Sequence, residues 1–283
     1  MKIFITGSQG CLGTALQNLL RQENVNFLGV DIQQLDISDF KKLNETILNY
    51  RPDVILHFAA ISDVDACEKE PDLALRINTL ATLGIVTIAH KINAKLLYVS
   101  TNFVFDGKSE EPYYEYDLPD PISQYGKTKF LGEKYIRELY DRYYIVRTAW
   151  IFGKNSKTFA SKFLQQKEKP HSVSVICDQF GSFTYAPDLA EAILAIIKSD
   201  NYGTYHLVNA GSGTWLDFLL KAKELMRFTT ELVPVKTEEL NLPAPRPMFA
   251  PLGSRNYEYL FDRKMRPWHE ALADFVKTLN TKS

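Results

Sequence analysis

Tyr125 and Lys129 stand four residues apart in Tyr125-Gly126-Lys127-Thr128-Lys129. The apolar spacing of Phe130, Leu131, Tyr135, Ile136 and Leu139 predicts a helix there, and a helix turns residues four apart onto one face. A phenol beside an ammonium is a proton donor with its own electrostatic tuner. Free tyrosine titrates at about 10, and a neighbouring positive charge favours the phenolate. The same spacing also fits a half-buried aromatic and a solvated amine on an amphipathic helix, so the elements around the pair must decide.

Lys2 to Thr6 reads as a short buried strand that runs into Gly7-Ser8-Gln9-Gly10-Cys11-Leu12-Gly13, followed by a helical pattern through Leu16, Leu19 and Leu20. Glycines in a strand–turn–helix unit allow a tight turn and close backbone approach, so that the free N–H groups of the helix can meet a pyrophosphate. The spacing is Gly-x-x-Gly-x-x-Gly, not the Gly-x-Gly-x-x-Gly of the usual dehydrogenase fingerprint. A second strand, Asn26 to Val30, ends at Asp31, where a carboxylate either receives ribose hydroxyls or caps a turn. Asp31 would disfavour a 2′-phosphate, and Ile32-Gln33-Gln34 brings no arginine to welcome one, which tilts the cofactor toward NADH over NADPH.

Leu35-Asp36-Ile37-Ser38 leads into a helix to about Tyr50, and Pro52-Asp53 into a strand from Val54 to Phe58. Small residues, Ala59-Ala60-Ile61-Ser62, follow. A long helix from Pro71 to Ile92 carries Asn78, and a strand from Lys95 ends in Ser100-Thr101, a hydroxyl placed for a cleft or for a strand-end cap. This βα alternation argues for a doubly wound parallel sheet. Lys108 to Pro121, acidic, aromatic and proline-bearing, reads as an excursion over the cleft.

The chain has 283 residues, 45% hydrophobic, with 33 Lys+Arg against 34 Asp+Glu and a formal net charge of −1. That balance, without long runs of either sign, gives no reason to expect nucleic acid or a membrane surface and favours a small-molecule partner. No basic leader precedes the first strand and no apolar run is expected to reach membrane-spanning length, so a cytoplasmic location is expected. Cys11, Cys67 and Cys177 are odd in number and form no CxxC, which argues against disulfides and zinc; Cys11 reads as a small buried filler.

Further on, Val173 to Cys177 reads as a strand and Ala186 to Lys198 as a helix. Thr214-Trp215-Leu216-Asp217 is a capping-box start for a helix through Met226, and His269 to Leu279 is a closing helix. Pro243-Ala244-Pro245-Arg246-Pro247 reads as a loop approaching the site. Trp215 reads as core, and Trp150 as core or site.

In order, these motifs resemble the extended short-chain dehydrogenase/reductase family and, within it, the dTDP-4-dehydrorhamnose reductases. The resemblance is carried by Gly7 to Gly13, by Ala59 to Asp65 and by Ser100-Thr101-Asn102-Phe103-Val104-Phe105-Asp106-Gly107. It continues through Tyr125 to Lys129 with Gly132-Glu133, Arg147 to Gly153, Asp178 to Ser182, Gly203 to Asn209 and Arg246-Pro247. It implies a Rossmann-type sheet over residues 1–152, completed by about 184–210 and the C-terminal helix. A smaller substrate-binding α/β region would take about 153–183 and 211–268.

The resemblance implies reduction of the 4-keto group of a nucleotide sugar by NADH or NADPH, with Thr101, Tyr125 and Lys129 catalytic. Gly7, Gly10, Cys11, Leu12, Gly13, Asp31, Asp36, Ile37, Ala59 and Ala60 would hold the cofactor together with Tyr125 and Lys129. Ser62, Val64, Asn102, Phe103, Trp150 and Arg246 would line the sugar pocket. Asn102 and Phe103 stand where the family usually has Asp and Tyr, Phe183 replaces a frequent Pro, and Ala250 a common Ser, so the sugar itself stays open. Some relatives dimerise through metal-bridged acidic side chains that include one early in the first helix; Thr14 to Asn18 has no acid, so no metal is carried over and a homodimer is left open. Another nucleotide-sugar reductase, an epimerase, and a non-catalytic subunit on the same fold remain alternatives.

Overall fold

Largely apolar runs build the first strands. In the computed structural model, which describes residues 1–280, β1 (Lys2–Thr6), β2 (Asn26–Val30) and β3 (Val54–His57) alternate with α1 (Cys11–Gln22) and α2 (Phe40–Tyr50). Next come α3 (Val64–Lys69), α4 (Pro71–Ala74), a π-helical turn (Leu75–Leu80), α5 (Ala81–Ile92), β4 (Lys95–Thr101) and α6 (Gln124–Leu139). The chain continues with β5 (Tyr143–Thr148), β6 (Ile151–Phe152), α7 (Phe159–Gln165), β7 (Ser172–Ile176), β8 (Thr184–Tyr185), α8 (Ala186–Ile197) and β9 (Gly203–His206). It closes with α9 (Trp215–Met226), β10 (Glu231–Val235), α10 (Arg255–Phe261) and α11 (Trp268–Asn280).

Six strands form one parallel sheet in the order β2-β1-β3-β4-β5-β9. The fold is therefore the expected doubly wound α/β class. From β1 the chain steps outward to β2 and then crosses back to β3, so the strand order reverses between β1 and β3, and ligands of such sheets bind in the crevice at the carboxyl ends there. One face buries Leu12, Leu16 and Leu20 of α1 against Leu189 and Ile193 of α8; the other buries Leu43 and Ile47 of α2, Ile85 of α5 and Ile136 of α6. A separate aromatic core of Phe152, Phe183, Phe218, Trp268 and Phe275 joins the C-terminal helices to β6 and β8.

Two expectations need correcting. The helical run Pro71–Ile92 spans 22 residues, long and apolar enough by length and composition to cross a membrane, contrary to the expectation that no run approaches that length. Half of its most apolar stretch is buried inside the fold, where the run packs against α2 and α6. Buried Asn78, Thr79 and Thr82 hydrogen-bond within the domain, so the run serves here as a core helix. It is also not uniform, because the π turn interrupts it where Asn78 sits. One strand end differs by a residue: β3 stops at His57 rather than Phe58.

Candidate active site

The glycine turn lies at the reversal point of the sheet. Gly7 has φ +68°, and a Cβ there would stand 2.7 Å from the Ala59 nitrogen at the end of β3; a Cβ on Gly13 would stand 2.5 Å from the Gly7 carbonyl oxygen. Only glycine permits both approaches. Gly10 caps α1 without a side-chain hydrogen bond and the first turn holds no acid, so the early N–H groups of Cys11, Leu12 and Gly13 and the positive end of the helix are left for an anion. This is a cradle that fits a pyrophosphate.

The carboxylates expected beside it are already partly engaged. Asp31 accepts from the Gln9 N–H and from the Ile32 N–H, both at 2.9 Å, and so braces the glycine turn. Asp36 accepts from the Ser38 N–H and hydroxyl at 2.8 Å, and these bonds hold its carboxyl below the usual range. Each retains lone pairs for further donors. Ile37 is buried beneath this turn. Cys11 is only partly buried, rather than the buried filler expected, and desolvation pushes its thiol up to about 12.

Beyond β3, the Ala59 N–H donates to the Thr6 hydroxyl at 3.3 Å, and Ala60 follows it half-buried. Ile61 is held at both backbone groups by one side chain: its N–H donates to Asn78 Oδ1 at 2.9 Å and its carbonyl accepts from Asn78 Nδ2 at 3.1 Å. Asn78 Nδ2 also reaches the Thr128 hydroxyl at 3.2 Å, so a buried amide ties the loop after β3 to α6. Ser62 is exposed and Val64 half-buried at the mouth of this loop.

Two groups satisfy the start of α6. Ser123 Oγ accepts from the Gly126 N–H at 3.2 Å, and Glu68 Oε2 accepts from the Gln124 N–H at 3.0 Å. Gly126 lets the helix settle on the turn after β4, since an added Cβ would overlap the Phe103 carbonyl. Tyr125 then meets the Phe103 ring edge-on at 5.6 Å, and the Thr101 side chain at the end of β4 lies near enough to bear on the phenol's titration. Lys129, 2% exposed, holds Nζ 4.0 Å over the ring of Tyr98, whose hydroxyl donates to the Lys129 carbonyl at 3.3 Å.

The electrostatic balance differs from the one expected of an isolated pair. Burial pushes the Tyr125 phenol up to about 12 and Thr101 pulls it back only in part, while burial drives the Lys129 ammonium down to about 7 against the charge of Glu133. Desolvation dominates both groups, and no lowering of the phenol by Lys129, which the spacing suggested, offsets it. One turn beyond Lys129, Glu133 receives Nε and Nη2 of Arg147 at 3.0 and 2.8 Å and Nη2 of Arg137 at 2.9 Å. Arg147 Nη1 lies 3.4 Å from His206 Nε2, and His206 Nδ1 faces the carbonyls of Tyr113 and Gly253 at 3.0 and 3.1 Å. Burial, then Arg147, push this imidazole down to about 3.

The family model for the RmlD substrate binding domain matches residues 1–281. The chain belongs to that family. It is similar to the spore coat polysaccharide biosynthesis protein SpsK of Bacillus subtilis, 34% identical over 276 residues, covering 98% of this chain and 97% of that protein. It is 32% identical over 283 residues to the dTDP-4-dehydrorhamnose reductase of Salmonella typhimurium, covering 95% and 94% of the two chains. The crystal structure of dTDP-4-dehydrorhamnose reductase from Bacillus anthracis in complex with NADP superposes with a TM-score of 0.94 at 35% identity, covering 98% and 99%. As a member of the RmlD family the chain is an oxidoreductase.

Against this family frame, the residues expected at the sugar pocket fall into two groups. Asn102 is buried and spends its amide on the Ala250 carbonyl at 3.2 Å, while its Oδ1 faces the Thr101 hydroxyl at 3.3 Å. Arg246 gives both terminal nitrogens to Asp65. Phe103 and Trp150 remain half-buried, the latter at φ +41° and stacked at 4.4 Å on Trp215, which had read as core. Sequence reasoning missed the roles of Asn78, Tyr98 and Asp65. A polar residue inside an apolar helix was the signal for Asn78; nothing local marks Tyr98 or the pairing of Asp65.

Proposed function

We propose that this chain reduces the 4-keto group of a nucleotide sugar with NADH or NADPH, and that the substrate is dTDP-4-dehydrorhamnose, giving dTDP-rhamnose. The reading is supported by membership of the RmlD family and by the names of relatives that match nearly the whole chain. The observation that carries it is the packing of the first turn of α6 on the turn after β4, where Tyr125 meets the Phe103 ring two residues beyond Thr101 and Lys129 lies one turn along the helix. The fitted cradle is the uncapped start of α1 at the reversal of the sheet.

In this proposal the first-turn N–H groups of α1 bind the cofactor's pyrophosphate, and Asp31 and Asp36 offer their remaining lone pairs to the adenosine side. Bound there, the reduced nicotinamide supplies the hydride. Tyr125 donates a proton to the carbonyl oxygen, Thr101 donates a hydrogen bond to that oxygen as charge develops, and Lys129 binds the nicotinamide ribose and stabilises the phenolate left behind. Phe103 and Trp150 wall the sugar. Residues 1–152 supply the cofactor half and the later segments most of the substrate half. We set the reaction in the cytoplasm.

Asn102 and Phe103 keep a second reading in view, a different 4-keto sugar on the same nucleotide-sugar chemistry. The test is oxidation of NADH and of NADPH with dTDP-4-dehydrorhamnose, followed at the nicotinamide absorbance. Turnover that Tyr125→Phe lowers by orders of magnitude, with cofactor binding intact, is the expected result. Full turnover in that variant would reject the assigned proton donor. No oxidation by wild type with bound cofactor would reject this sugar.

A further inference from the structure

Asp65 stands in the first turn of α3, and Arg246 belongs to the proline-rich segment far along the chain. Arg246 donates Nη1 to Asp65 Oδ1 at 2.7 Å and Nη2 to Oδ2 at 2.6 Å. Asp65 Oδ1 also accepts from the Ala244 N–H at 3.1 Å, and Arg246 Nη1 reaches back to the Ala244 carbonyl at 2.6 Å. One carboxylate thus holds a whole turn of the segment. The fork geometry is one that arginine satisfies and lysine does not.

From this point the segment runs toward the reacting groups. Pro247 lies against Gly107, where a Cβ would stand 2.5 Å from the proline Cα, and the Phe249 N–H donates to the Gly107 carbonyl at 3.1 Å. On its other side, Phe180 and the segment exchange bonds, Phe180 N–H to Met248 at 2.8 Å and Ala250 N–H to Phe180 at 3.0 Å. The Ala250 carbonyl accepts from Asn102 Nδ2 at 3.2 Å, and Asn102 Oδ1 accepts from the Thr101 hydroxyl at 3.3 Å. A continuous line of contacts therefore joins Asp65 to Thr101.

We propose that Arg246 is a positioning residue rather than a ligand of the substrate, and that with Asp65 it clamps residues 243–250 against α3, setting the wall of the substrate cleft beside Thr101. The inference rests on the proposed reductase reading only where it names that cleft. A substrate diphosphate reaching Arg246 would compete with Asp65 for the same two nitrogens and would approach a carboxylate of its own sign. The guanidinium side chain is 12% exposed, so its charge is largely spent inside the fold.

The test compares wild type with Asp65→Asn, Arg246→Lys and the double variant, all as the full chain, by two readouts. The first is hydrogen exchange of the 241–250 peptide without any sugar, where the Ala244, Phe249 and Ala250 amides report the clamp directly. The second is KM for dTDP-4-dehydrorhamnose, with cofactor Kd measured alongside. The clamp predicts that each single variant speeds exchange and raises KM about tenfold or more, that the double variant is no worse than either, and that cofactor Kd holds. Asp65→Asn with wild-type exchange and wild-type KM, while Arg246→Lys alone raises KM, would overturn it and make Arg246 a direct ligand. If wild type reduces no nucleotide sugar, the reductase reading fails by itself, and the exchange rates still decide the clamp.

Discussion

Arg147 closes on Glu133 through two parallel hydrogen bonds of 3.0 and 2.8 Å, with both side chains at most 1% exposed, one helical turn beyond Lys129. Burial pushes the Glu133 carboxyl up, and the charge and hydrogen bonds of Arg147, joined by Arg137, more than offset it, leaving the pKa below its ordinary value. Removing Arg147 leaves the buried Glu133 carboxylate with Arg137 alone, whose side chain is 31% exposed. Arg147→Met is expected to lower stability by about 3–5 kcal/mol, and adding Glu133→Gln to recover much of that loss. Urea midpoints of the two variants check it; equal destabilisation by the single and the double change would mean that packing, not the charge pair, is lost.

The pH dependence of stability should carry the signature of Lys129. Its folded pKa of about 7 lies below the ordinary lysine value of about 10.4. Between those values the unfolded chain holds a proton that the folded chain does not, so this group makes stability rise with pH from about 7 to about 10. Below about 7 both states are charged, and the cost of burying the ammonium is fully present and flat. Lys129→Met should therefore be more stable than wild type at pH 6, by a few kcal/mol in order of magnitude, with the gap closing toward pH 10. Denaturant titrations of both proteins across that range measure the difference directly, and a gap independent of pH would show that Lys129 keeps its charge in the folded site.

How much of this could be read in advance depended on whether the governing contact was local. Tyr125 and Lys129 share one helix, so their spacing alone brought them to one face, and β1 to β4 showed themselves as apolar runs between helical patterns. β5 gave less away because it carries Tyr143, Tyr144 and Arg147, and Arg147 is buried only through Glu133 on α6. β9 is four residues ending in His206, too short and polar to stand out. The π turn around Asn78 has no compositional mark, since an extra residue per turn is set by packing. The pairing of Asp65 with Arg246 spans 181 positions and belongs to tertiary structure alone.

Gly126 should tolerate no side chain. An added Cβ would overlap the Phe103 carbonyl and lie 3.0 Å from Pro121 Cβ, so α6 would have to lift from the turn that follows Thr101. Because Tyr125 is the adjoining residue, a displacement of even about 1 Å should cost roughly a hundredfold in kcat under the proposed mechanism. Gly126→Ala is expected to fold, since the clash falls on the first turn of α6 and leaves the rest of the helix its packing, and to bind cofactor at the α1 cradle while turning over slowly. Steady-state kinetics with cofactor titration separates these effects; unchanged kcat would show that the helix relaxes without moving the phenol.

Trp150 occupies the left-handed region at φ +41°, a conformation that a bulky residue adopts only when its surroundings enforce it. The enforcement is visible: Trp150 stacks on Trp215 at 4.4 Å and 25°, meets Phe183 at 5.2 Å, and is backed by Gly181, where a Cβ would stand 2.8 Å from the indole. In the proposed sugar wall, Trp215 would therefore act through Trp150. Trp215→Leu should remove the stack, free the indole of Trp150 and weaken sugar binding about tenfold, whereas Trp215→Phe should retain most of both by keeping an aromatic face. Near-UV circular dichroism reads the coupled indole pair without any ligand, and KM reads its consequence. Loss of the dichroic signal with KM unchanged would assign the stack to the aromatic core of the C-terminal region and take Trp150 out of the sugar wall.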